Sequence, residues 1–184
     1  MSLGFSENVR LGGGDVRVRG RAYDWDVLVE TLTFRRIELP GDAARVVAWH
    51  ADACRATFGE AAYRQRLERP DRYLRHLSDR IEEYPEGHLI AFAGAACVGQ
   101  MELQVPYGLE VGYVNLFYVA PEFRRQGCGR AMHARAEQYF RSWEAQRIEL
   151  HVSPTNPAAV RFYEAMGYGV VRREGEMLRM GKAL

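Results

Sequence analysis

Arg124-Arg125-Gln126-Gly127-Cys128-Gly129 sets two arginines, an amide and two glycines directly after an apolar stretch, Tyr113–Val119, that Ala120-Pro121 brings to an end. A strand that runs into a basic, glycine-containing turn and then a helix is a device for holding an anion. The first N–H groups of the helix have no intrahelical acceptor, and the positive end of its dipole points back at the turn. Gly127 and Gly129 bring backbone to a ligand with no Cβ in the way, and Arg124, Arg125 and Arg130 add charge. Other residue types with chemical potential lack a supporting pattern. The five histidines show no HxxxH or HxH spacing and no cysteine partner, so no metal site is expected. No Gly-x-Ser-x-Gly elbow is present. A dinucleotide fingerprint would need a third glycine where Met132 stands.

The elements around this turn follow from the pattern of apolar and breaking residues. The chain has 184 residues and a formal net charge of +1, enough for one domain with a real core and too balanced for a global field that binds nucleic acid or membrane. Anion binding must therefore be local. Three scattered cysteines without a CxxC pair point to free thiols in a reducing compartment, and no apolar stretch approaches a membrane span, so a cytoplasmic protein is expected. Residues 1–30 form an N-terminal extension in which Asp15–Arg21 and Asp24–Val29 suit a β-hairpin; covering a sheet edge and supporting a homodimer are both left open for it. The main domain, 31–184, begins with a strand over Thr31–Leu39. Asp42 then stands as N-cap of a helix over Ala43–Phe58. A second helical stretch, Glu60–Tyr84, breaks at Pro70-Asp71. His88–Ala93 and Ala96–Val105 read as a hairpin, and Leu109–Val119 as a long strand in which Tyr113, Asn115 and Phe117 share a face. After the glycine turn come a helix to Ala145, a strand over Arg147–Val152, a short helix from Pro157 to Gly167, and a hairpin of Tyr168–Arg173 with Met177–Lys182. The order predicts an α/β protein of the α+β type, with a mixed, mainly antiparallel sheet flanked by helices.

Two motifs in this order carry a family resemblance. Arg124 to Gly129, preceded by Val119-Ala120-Pro121-Glu122, resembles the Arg/Gln-x-x-Gly-x-Gly/Ala turn of the GNAT superfamily of acyl-coenzyme A-dependent N-acetyltransferases. Asn156-Pro157-Ala158-Ala159-Val160-Arg161-Phe162-Tyr163, followed by Gly167-Tyr168, resembles that family's second signature. The resemblance covers Thr31–Leu184 and implies a single GNAT-like domain with splayed central strands and acetyl-CoA as co-substrate.

The chemistry of coenzyme A suits these residues. Its diphosphate fits backbone donors at a helix start, so Arg124, Arg125, Gln126, Gly127, Cys128, Gly129 and Arg130 are candidate cofactor-binding residues. The pantetheine arm carries amides that can pair with a strand edge, which the resemblance places along Phe117, Tyr118 and Val119. Asn156, with Pro157 behind it, is both an N-cap and a family cofactor contact. Tyr163 is the candidate general acid: aminolysis of a thioester expels a thiolate, and a phenol stays protonated at neutral pH. For the base, Glu102 and Glu110 are candidates, and the central strand itself has no acidic residue from Val111 to Val119. Cys128 is expected to pack, since the family position holds a small or apolar side chain. The implied function is acetyl transfer from acetyl-CoA to a primary amine by direct attack. The alternative is a non-catalytic acyl-CoA sensor, which would bind without turnover.

Overall fold

The run His88–Ala93 is too continuously apolar for a strand with one wet face, and both its faces are covered. Leu89, Ala91 and Ala93 join one core cluster, while Ile90 and Phe92 join another on the opposite side. The computed structural model describes residues 32–106 and 110–184. The hairpin expected within residues 1–30 and the turn at Tyr107–Leu109 lie outside the described residues.

Seven strands form one sheet in the order β1-β2-β3-β4-β5-β7-β6. They are β1 (Thr33–Arg36), β2 (His88–Ala93), β3 (Ala96–Gln104), β4 (Val111–Val119), β5 (Arg147–Val152), β6 (Gly169–Glu174) and β7 (Met177–Ala183). Every pairing is antiparallel except β4 with β5. That one parallel pair needs a crossover, supplied by helix α3 (Cys128–Ser142). Helices α1 (Ala43–Phe58) and α2 (Pro70–Glu83) cover the other face of β1–β4, and α4 (Pro157–Ala165) links β5 to β6. No helix among the described residues is long and apolar enough to cross a membrane.

Most elements fall where the apolar spacing puts them, and the differences have local causes. The stretch from Glu60 resolves into a short helical segment, Glu60–Ala62, a π-helical turn, Tyr63–Leu67, and α2. Pro70 begins α2 instead of interrupting a longer helix, because its missing N–H costs nothing in the first turn. Tyr73 and Leu77, one turn apart, are buried beneath α2, with Leu74 and Ile81 packed beside them. On α3, Met132, Ala136, Tyr139 and Phe140 are buried, whereas Trp143 lies past the helix end and stays half exposed.

Asp42 stands at the N-cap of α1, but its side chain makes no cap hydrogen bond. Arg35 at the end of β1 donates to both its carboxylate oxygens at 2.9 Å, and the Glu38 N–H donates to one of them at 2.8 Å. The carboxylate thus ties the sheet edge to the start of α1. Burial opposes its ionisation, but the bonds from Arg35 and from the Glu38 N–H prevail and hold the acid below its ordinary value of 3.8. A depressed carboxylate stabilises the fold above its unfolded pKa and loses that contribution as pH falls through the folded one. Asp42→Asn should therefore cost about 1–2 kcal/mol at neutral pH, after discounting for the solvent around Arg35. The gap in melting temperature between the two proteins should close below about pH 4; a gap independent of pH would contradict this role.

Candidate active site

The hydrogen-bond ladder between β4 and β5 runs from Val111↔Arg147 to Val114↔Leu150 and stops there. β4 continues to Val119 beside β3, and β5 continues beside β7, so the two central strands diverge. The edge of β4 from Asn115 to Val119 is left without a strand partner on that side. The Ala120 N–H donates to the Val98 carbonyl. By alternation, Tyr118 and Leu116 turn their backbone groups to β3, and those of Phe117 and Val119 face the gap.

A bulge places one more feature here. Glu102 pairs with Leu116 and Leu103 with Val114, so Asn115 is the extra residue on β4. The alternation expected over Tyr113, Asn115 and Phe117 is broken as a result. Leu116 now shares the face of Tyr113, and Phe117 turns to the opposite side, where its ring stacks on Phe162 of α4 with centroids 5.9 Å apart.

At the far end of the open edge lies the glycine turn. Arg125 and Gly127 both have positive φ, 63° and 83°, so the backbone curls and its N–H groups converge. The N–H groups of Gly127, Cys128 and Gly129 have no acceptor among the described residues, while the Gly127 carbonyl accepts from Arg130 and Ala131 and so starts α3. The Cα of Gly129 sits against Phe162: an added Cβ would lie 3.1 Å from the ring, so this glycine also permits α3 and α4 to meet. Cys128 is fully buried, and burial raises its thiol pKa despite the helix start. Arg125 and Arg130 are exposed at the mouth. Arg124 is turned back on the protein: its Nε donates to the Val119 carbonyl at 2.8 Å, and its guanidinium meets Asp52 at 3.2 Å. Gln126 donates to the Glu122 carbonyl at 2.7 Å. Tyr118, expected at the pantetheine edge, turns its backbone groups to β3, and its hydroxyl donates to Asp52 at 2.7 Å.

On α4, Asn156 accepts from the Ala159 N–H at 3.2 Å and caps the helix, with Pro157 in its first turn. Tyr163 is buried in the cluster that also takes in Phe117, Val119 and Phe162, and its ring meets Tyr168 at 5.4 Å. Burial alone pushes its phenol pKa well up, so it stays protonated. Its hydroxyl has no hydrogen-bond partner among the described residues.

On the α1 and α2 side, next to Asn115 and Leu116, a cleft of about 370 Å³ opens over Glu102. Glu102 is 1% exposed and is the one carboxylate in the lining among the described residues. Tyr73 donates to it at 2.6 Å, Gln100 at 2.8 Å and Arg80 at 2.5 Å. His50 stacks on Tyr73 with ring centroids 3.9 Å apart, and burial lowers its pKa. This network joins α1, α2 and β3 and carries no motif; alternating polar positions 100 and 102 on β3 were its only trace in the sequence. Glu110, at the opposite end of β4, is about 23 Å of strand away from Phe117 and lines a different cleft with Arg141 and Trp143. A second network joins Tyr113 to His151 Nδ1, whose Nε2 lies 2.7 Å from Glu174. Bonds from His151, Arg172 and Arg179 hold the Glu174 acid down at about 2.

Residues 45–168 match the Acetyltransferase (GNAT) family. The chain belongs to that family. Over 66 residues it is 41% identical to mycothiol acetyltransferase of Corynebacterium kroppenstedtii, a match that takes in 36% of this chain and 18% of that protein. Among solved structures, this GNAT chain resembles PaiA N-acetyltransferase of Thermoplasma acidophilum in complex with coenzyme A, with TM-score 0.67 and 18% identity over 84% of this chain and 99% of the other. It also resembles spermidine N-acetyltransferase of Vibrio cholerae in complex with CoA and spermine, with TM-score 0.62 and 22% identity over 84% and 96%. At these identities the likeness establishes the GNAT fold, a mixed open sheet with helices on both faces.

Because Gly127 is left-handed, any L side chain there strains the turn. Gly127→Ala should lower stability by about 1–2 kcal/mol, read as a fall in melting temperature. An unchanged melting temperature would show that the turn adapts.

Proposed function

We propose that this chain transfers an acetyl group from acetyl-CoA to a primary amine by direct attack. The observation that carries the proposal is the gap between β4 and β5, which joins a turn of free N–H donors at one end to a carboxylate-floored cleft at the other. The turn suits a diphosphate: Gly127, Cys128 and Gly129 offer backbone donors and the positive end of α3, with Arg125 and Arg130 at the mouth. The Phe117 and Val119 backbone suits the amides of pantetheine, as strand addition does. Asn156 shapes the start of α4 beside it. When bound, acetyl-CoA supplies an activated acyl carbon and a thiolate leaving group.

The chain's own residues then handle protons and position. The Glu102 carboxylate, held in direction by Arg80, Tyr73 and Gln100, draws the acceptor ammonium into the cleft. The ammonium first gives a proton to the Glu102 carboxylate, directly or through water, and the freed lone pair attacks the acyl carbon. The nitrogen of the tetrahedral adduct then loses a second proton, which returns through water to the Tyr163 phenol once that phenol has protonated the sulfur. The C–S bond breaks, and the Tyr163 phenol gives its proton to the departing sulfur. Burial keeps that phenol protonated until then, and its hydroxyl has no competing protein acceptor among the described residues. Tight packing around Phe117, Phe162 and Tyr168 holds the ring in place.

Steady-state assay of thiol release tests both roles. Tyr163→Phe should lower kcat about 100-fold, as loss of a general acid does, with the acetyl-CoA KM changed no more than a few-fold. Glu102→Gln should lower kcat/KM for the amine more than that for acetyl-CoA. An unchanged rate in Tyr163→Phe would remove this residue as the acid.

A further inference from the structure

We infer that the acceptor is a small amine that also carries an anionic group, a carboxylate or a phosphate. The inference deepens the transferase proposal and rests on it. Among the described residues, the cleft over Glu102 is lined by three arginines, Arg69, Arg72 and Arg80, against that single carboxylate. Arg80 already pairs with Glu102, and its Nε is buried without a partner. Neither Arg69 nor Arg72 has a carboxylate within ion-pair distance among the described residues, although most arginines elsewhere on the described surface of the α1 and β6–β7 regions do. The cleft therefore keeps positive charge in excess of what its own residues neutralise.

The placement of these two arginines is not explained by the helix that bears them. Arg69 is the N-cap residue of α2 and Arg72 lies in its first turn. Cations there oppose the helix dipole, and Asp71 alone offsets them. A local rule broken without a structural return marks a site shaped for a ligand. The same dipole end adds to the attraction for an anion. His50 and His76 complete the lining, and neither brings negative charge.

These charges sort acceptors. An ammonium settles on Glu102 while a carboxylate or phosphate on the same molecule meets Arg69 and Arg72, for which guanidinium donors are well matched. A volume of about 370 Å³ suits a metabolite-sized acceptor. A polycation such as the spermine bound to the Vibrio cholerae protein would bring its second ammonium against guanidinium groups.

Thiol release with matched amine pairs tests this. Aspartate against asparagine and phosphoethanolamine against ethanolamine isolate the anionic group and separate carboxylate from phosphate; spermidine represents polycations. The acid-bearing member of at least one pair should show kcat/KM at least ~10-fold above its neutral partner, and spermidine should be poorest. Arg69→Gln and Arg72→Gln should each shrink that ratio about 10-fold, leaving the neutral amine little changed. Equal or better turnover of neutral amines or spermidine overturns this inference while the transferase proposal stands. Acetyl-CoA binding in calorimetry with no amine of any class turned over overturns both.

Discussion

Beyond Val114 and Leu150 the two central strands no longer share hydrogen bonds, and the arrangement of the rest of the chain follows from that divergence. A strand edge inside a sheet is costly, because its N–H and C=O groups lose water unless something replaces it. Here the sheet on either side holds the gap open. β4 is fastened to β3 up to Val119, and β5 is fastened to β7 up to Val152. Each strand is committed to its outer neighbour, so the inner edges cannot close on one another. The bulge at Asn115 lies at the start of the free edge, where added local twist helps β4 turn away.

The two ends of the gap are built by different physics. The turn end is made of backbone: two residues at positive φ, free N–H groups and a helix start. Its side chains are secondary, which is visible in Arg124. That guanidinium lies back on the Val119 carbonyl and Asp52 instead of extending into the turn. The cleft end is made of side chains brought together across long chain separations. Tyr73 and Arg80 from α2 and Gln100 from β3 converge on one buried carboxylate. A buried carboxyl group needs that density of donors, because a polar group left unpaired there carries the full cost of its desolvation.

The second network, Tyr113–His151–Glu174, ties β4 to β5 and β6 on the side of the strands away from α3. It links the paired part of the central strands to the C-terminal hairpin, and so helps fix the angle at which the strands part. Exposed Val170 and Val171 on β6 mark the outer edge of that hairpin as the least covered part of the described sheet.

What the sequence by itself determined was everything that depends on neighbours along the chain. The glycine turn occupies six consecutive residues, Asn156 caps the helix that begins one residue later, and the apolar periods place α1, β2 and β5 at their observed limits. Side-chain destinations were a different matter. Asp42 stands at the cap position, yet its carboxylate is claimed by Arg35, a partner on another element that outcompetes the local N–H groups. The bulge at Asn115 left no mark in composition, since one extra residue in a ladder is defined only against the opposing strand. The contacts of Glu102 and the basic wall of its cleft depend on how α2 docks on β3, and residues 69 to 102 meet only once the sheet is formed. Local backbone preferences are encoded residue by residue and can be read in order; the environment of a buried charge is set by packing between distant segments, and only the tertiary structure supplies it.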